Sequence, residues 1–139
     1  MKLNGLICLL VLTAITACKN NSQNGELPKP GTILGKEEMP VLNDTLNKFT
    51  FAVSLSADSL VEQGVYDVNA VWGYNDAKTK FTMPKGAENL KPILRKSSKP
   101  YTFVIGFKTD KDTTFYDYYE INGDHGTIKM QYIKSYSFQ

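Results

Sequence analysis

From residue 49 onward, apolar and polar residues alternate with a period of two. Phe49, Phe51, Val53 and Leu55 are interleaved with Thr50, Ala52, Ser54 and Ser56, and Tyr66, Val68, Ala70, Trp72 and Tyr74 with Asp67, Asn69, Val71 and Gly73. Successive side chains of a strand point to opposite faces, so this pattern predicts two half-buried strands. The alternation returns over 79–83, 100–108, 114–121 and 127–138, the last with Ile128, Met130, Tyr132, Tyr136 and Phe138 on one face. Six such segments, separated by turn-forming GYNDAK, KTDKDT and NGDHG, predict an all-β domain. The expected fold is an antiparallel β-sandwich of about six to eight strands, transthyretin- or immunoglobulin-like, or a small barrel. KTDKDT and NGDHG each join well-patterned neighbours, so the last three strands read as a meander. GAENLKPILRK, residues 86–96, is a helical candidate cut to a turn by Pro92, which lacks a backbone donor. DSLVEQG, 58–64, is a second short turn of helix.

Upstream the pattern changes. Lys2 precedes the apolar run LICLLVLTAI, whose ten residues would span about 15 Å as a helix, half of a ~30 Å hydrocarbon core. With the small residues Thr16 and Ala17 after it, this is the layout of a secretory signal peptide. The stretch KNNSQNGELPKPGTILGKEEMPVLNDTLN, rich in Pro, Gly and Asn, reads as a tether. Its latter part, TILGKEEMPVL, carries enough apolar residues to lie along the domain or a partner. The chain therefore divides into a signal peptide at 1–17, a tether at 18–47 and a sandwich domain at 48–139.

Ile15, Thr16, Ala17 and Cys18 resemble the lipobox of bacterial lipoproteins. The resemblance implies that Cys18 becomes the first residue of the mature chain, with a diacylglyceryl group on its thiol and an acyl group on its amine. The alternative is an ordinary secretory signal cut after Ala17. The sequence holds two cysteines, and Cys8 lies in the segment that processing would remove. No intrachain disulfide would then be possible, and acylation gives the lone thiol a use. Lys19 after the cysteine and the acid-free KNNSQNG imply, within that family, an outer-membrane protein facing the periplasm. The abundance of Asn, Lys and Tyr is similar to that of Bacteroidetes proteins. In size, anchor and strand content the chain resembles small β-sandwich lipoproteins of envelope machines, such as the type VI secretion membrane complexes.

A net charge of +2 supplies no basic field for nucleic acid. His125, the only histidine, lacks companion ligands for a metal and reads as a hairpin-tip residue in Asn-Gly-Asp-His-Gly. Asp110, Asp112 and Asp117 lack the glycine and distal glutamate of an EF-hand, with Lys111 between the first two. There is no Gly-x-Ser-x-Gly elbow, and Asp117 and Glu120 would face opposite sides of one strand. No enzymatic activity and no cofactor beyond the Cys18 lipid is expected. FYDYYE, 115–120, places Phe115, Asp117, Tyr119 and Ile121 on one face and Tyr116, Tyr118 and Glu120 on the other. Either that strand is covered on both sides or Tyr116 and Tyr118 face outward, where tyrosines suit protein recognition and sugar stacking. The binding candidates are therefore Tyr116, Tyr118, Trp72, Lys129 and Gln131. KPILRKSSK, with Lys91, Arg95, Lys96 and Lys99, could meet an acidic partner or lipid head groups.

Three roles fit these features. The first is a non-catalytic interaction module of an envelope complex, attached to the membrane by its lipid and binding an envelope protein. The second is a glycan-binding lipoprotein of a saccharide-uptake system, stacking sugars on Trp72, Tyr116 and Tyr118. The third is an immunity lipoprotein that neutralises a periplasmic toxin.

Overall fold

The alternation of residues 50–57 is realised without a break: Phe51, Val53, Leu55 and Ala57 are buried while their neighbours are half-exposed. The computed structural model describes residues 26–42 and 46–138, so residues 1–17, expected to be a signal peptide, and Cys18 lie outside the described residues. Eight strands are formed: β1 (Ile33–Pro40), β2 (Thr50–Ala57), β3 (Val65–Trp72), β4 (Asn75–Thr82), β5 (Ile93–Lys96), β6 (Thr102–Phe107), β7 (Tyr116–Asp124) and β8 (Thr127–Tyr132). They make two four-stranded antiparallel sheets, β1-β2-β3-β4 and β5-β6-β7-β8. The molecule is thus the expected antiparallel sandwich. Each sheet is a plain meander, simpler than the Greek-key connectivity of immunoglobulin domains, and the chain passes between sheets once, through residues 83–92.

The core lies between the sheets. Phe51, Val53 and Leu55 of β2, Tyr66, Val68 and Ala70 of β3 and Phe81 of β4 face Phe103, Ile105 and Phe107 of β6 and Tyr119 and Ile121 of β7. Burying each large side chain contributes roughly 1.5–3 kcal/mol. At the margins β1 runs beside β5 and β4 beside β8. Lys96 Nζ lies 3.9 Å from Glu37 on the first margin, and on the second the Thr82 N–H donates to the Tyr132 hydroxyl at 3.0 Å.

Three strands depart from the sequence-based expectation, β4 because it starts at Asn75, inside the expected turn GYNDAK, with Asn75 to Lys78 paired to β3. β1 comes from the stretch assigned to the tether, and its pairing with β2 slips between Ile33 and Gly35, which breaks the period. β5 occupies ILRK, where a helical turn is expected; Pro92 ends the preceding segment and Leu94 enters the core. At 58–64 the expected short helix is present as a 3-10 turn, Val61–Gln63. Residues 133–138, expected to continue the last strand, leave the ladder after the Ile133 N–H donates to the Tyr118 carbonyl. They still return Tyr136 and Phe138 onto Phe107, with ring centroids 5.6 Å away in each case.

The two-faced aromatic strand is explained by a bulge. Ile105 pairs with Tyr119 but Gly106 pairs with Asp117, so Tyr118 is the extra residue, and Tyr116 then sits opposite core-facing Phe107. The slip brings Tyr116 and Tyr118 onto the same side as Tyr119, contrary to simple alternation. Both tyrosines are half-buried against the Phe107 ring, at 5.7 and 6.3 Å. Phe115 folds over the other side of Gly106, and the Arg95 guanidinium lies 3.3 Å from the Phe115 centroid.

These polar and phenolic groups set the pH limits of the fold. The Asp58 carboxylate accepts from Lys80, from the Leu60 N–H at 2.9 Å and from Ser59, which together hold it below the usual carboxylate range. A depressed folded-state value contributes stability above the unfolded value of about 3.9 that is lost as pH falls through the folded one. Burial raises the Tyr66, Tyr118 and Tyr119 hydroxyls, and a hydrogen bond to Asp112 raises Tyr116. A raised value contributes stability that is complete below the unfolded value of about 10 and is lost as pH rises through the folded one. Urea midpoints are therefore expected to plateau between these limits and fall on both sides, with Asp58→Asn flattening the acid limb. A profile that does not change in Asp58→Asn would contradict the assignment of that limb.

Candidate functional site: an aromatic cleft at one pole

The chain enters the sandwich at Thr32, beside Ala57, where the Ala57 N–H donates to the Thr32 carbonyl at 2.9 Å. β1 then runs the length of the sheet, about 27 Å for eight residues, to the far pole. Four connections meet there: the described ends of 41–49, where the Val41 N–H donates to the Phe49 carbonyl, the two-residue turns 73–74 and 125–126, and 97–101. Between Trp72 and Asn75, Gly73 takes φ 57°, the positive angle that tight primed hairpin turns require, and this lifts Tyr74 clear of the surface. Between Asp124 and Thr127, His125 and Gly126 take φ 45° and 86°. His125 thus supplies a left-handed position expected of Asn or Asp, while Asn122, Gly123 and Asp124 stay in the β7 ladder.

These turns enclose a cleft of about 400 Å³, at the lower end of the range for ligand sites. Trp72, 7 % exposed, forms its floor against Phe51, with centroids 5.2 Å apart. The indole is seated over Gly123, where a Cβ would lie 2.4 Å from Trp72 Cε3, so only glycine admits this approach. Tyr101 meets Trp72 edge-on at 4.9 Å, and its hydroxyl accepts from the Leu42 N–H at 3.0 Å. Phe49 and Tyr74 form a second edge-to-face pair at 5.1 Å. The polar side is Asn75, Asp124 and His125. Asn75 Nδ2 donates to the Gly126 carbonyl at 3.0 Å, tying one hairpin to the other across the sheets, and Asp124 Oδ1 meets His125 Nδ1 at 2.5 Å. Tyr74 lines the cleft while 89 % exposed, and Leu42, tied to Tyr101 through its N–H, is 76 % exposed; with Leu46, 91 % exposed and three residues before Phe49, they are the most exposed large apolar side chains among the described residues.

The five binding candidates from the sequence do not converge. Trp72 lies in this cleft, whereas Tyr116 and Tyr118 pack near the opposite pole. Lys129 and Gln131 are exposed on the outer face of β8, paired with Asn122 and Glu120. Cys18, expected from the lipobox resemblance to carry lipid, lies outside the described residues. The basic stretch is engaged internally: Arg95 over Phe115, Lys96 near Glu37, and Lys99 2.9 Å from Glu120. Asp112 accepts from the Thr114 N–H and the Tyr116 hydroxyl, and Asp117 meets Lys134 at 2.5 Å. Among the described residues, no three His, Cys, Asp or Glu side chains gather in a metal-binding group. Phe49 and Tyr74, read from the alternation as strand positions, lie just outside the strands, and neither they nor Tyr101, Leu42 and Leu46 were named as binding candidates.

Fold and site together define a two-sheet antiparallel β-sandwich with an aromatic cleft at one pole. No family model, curated protein or solved structure matches the chain.

Proposed function

We propose that this protein is a lipid-anchored, non-catalytic interaction module of the bacterial cell envelope, held in the outer membrane through Cys18 and facing the periplasm. In this reading it belongs to a multiprotein envelope complex of the kind exemplified by the type VI secretion apparatus. The observation that carries it is the exposure of Tyr74 and Leu42 at an aromatic cleft at the pole away from the chain's entry. Large apolar side chains cost solubility when left in water, and clustered aromatics at a rim are the anchors of protein interfaces. A tether leaving from the opposite pole would point that surface away from the membrane. The saccharide-uptake reading named Trp72, Tyr116 and Tyr118 as its stacking residues; Trp72 lies apart from the two tyrosines, so a sugar would have to stack on the rings of the cleft instead.

The test is photo-crosslinking in cells from Leu46 or Tyr74 of the full chain, with Lys129 and Gln131 as control positions. A discrete adduct from the cleft pole and none from the controls is expected. Cys18→Ala is expected to move the protein to the soluble periplasmic fraction. Equal labelling from all four positions would argue against a docking pole, and membrane retention of Cys18→Ala against the anchor.

A further inference from the structure

We infer that the cleft receives a basic side chain, preferably arginine, from an extended segment of the partner. This inference rests on the docking reading above and names the chemistry of what docks. The chain as a whole is basic, with 16 Lys and Arg against 14 Asp and Glu. Yet among the described residues neither Lys nor Arg lines the cleft, and the carboxylate that does is Asp124. Only Oδ1 of that carboxylate meets His125, which leaves Oδ2 for a ligand. Phe49, Trp72, Tyr74 and Tyr101 line the same cleft, which thus combines electron-rich rings with a negative charge. That combination favours a cation: ring quadrupoles attract it, the carboxylate pairs with it, and the aliphatic stem of Arg or Lys covers apolar wall. A guanidinium has the further advantage of stacking flat on a ring while donating to a carboxylate.

The same molecule already contains this arrangement in closed form. On the outer face of the second sheet Arg95 lies 3.3 Å over Phe115, beside the Asp117 carboxylate in one shallow depression. At the cleft pole the rings and the carboxylate are present, and among the described residues no Lys or Arg lines the cleft. Exposed Leu42 beside Tyr101 fits a protein segment better than a free sugar, because it would bury apolar residues flanking the basic one.

The single tryptophan of the chain is the floor of the cleft, so its fluorescence reports occupancy directly. Full-length protein in detergent is titrated with N-acetylargininamide, the neutral N-acetylglutaminamide and maltose. A saturable change in Trp72 emission with the arginine probe is expected, weakened about fivefold by Asp124→Asn and by Tyr74→Ala. Both side chains are exposed, and unchanged thermal melts of the variants would show that folding is intact. An equal response to the neutral amide, a response to maltose in place of arginine, or no saturable response overturns the inference. In cells, an undiminished Leu46 adduct in Asp124→Asn overturns the cation inference alone. Absence of the adduct in the wild type removes the docking reading and the inference with it.

Discussion

Gly106→Ala is expected to destabilise the domain by on the order of 3 kcal/mol, which for a domain of this size lowers the melting temperature by about 12–20 °C. A Cβ at Gly106 would sit 2.2 Å from the Tyr116 carbonyl oxygen and 2.5 Å from Phe115 Cζ. The first obstacle is backbone and cannot rotate away. The second is a ring held by Arg95 on its other face. Relief requires either straightening the bulge, which would turn the tyrosines of β7 out of register, or expelling Phe115 and exposing the outer side of β6. That strand has all six residues buried, so neither route is cheap. Gly106→Val should be worse still. A thermal melt of Gly106→Ala within a few degrees of the wild type would show that the strands do not approach so closely.

Phe107→Ala is expected to cost about 3–5 kcal/mol, the range for deleting a fully buried phenylalanine ring. Phe107 is completely buried, and the rings of Tyr116, Tyr118, Tyr136 and Phe138 surround it at 5.6 to 6.3 Å. The cavity would loosen three segments together: the bulged end of β7, the edge of the core near Phe81, and the terminal residues 136–138. Urea unfolding should show the loss, and amide exchange should show faster opening of β7 than of β2. Phe107→Leu, which refills most of the volume, should recover more than half of it. Equal destabilisation by Ala and Leu would mean that the ring contacts, rather than the filled volume, dominate.

The sequence pattern was most legible where one face of a strand is core and the other water. β2 and β3 meet that condition along their whole length, and their residues could be assigned to faces from alternation alone. β1 and β5 escaped because they are edge strands. Gly35 approaches Leu94 closely, a Cβ there lying 3.3 Å from it, and charged residues occupy much of β1. β5 is only four residues long, too short for a period to show. In β7 the alternation was misleading for a physical reason: one inserted residue reverses the faces, and the residue that permits it, Gly106, lies on a different strand. The cleft was hardest to foresee. It is assembled from four connections distant in sequence, and only Trp72 among its walls stood out beforehand. The lift of Tyr74 depends on a single dihedral angle at Gly73.

The path of β1 also has a mechanical meaning. The chain enters at Thr32 and β1 ends at the cleft pole, paired with β2 from Ile33 through Pro40. A pull between the tether and anything gripped at that pole would act along the strand axis. Ladder hydrogen bonds in antiparallel pairs stand perpendicular to that axis, so they would bear the load together in shear rather than open one at a time. A domain strung this way would carry a load between its two poles through the seam between β1 and β2.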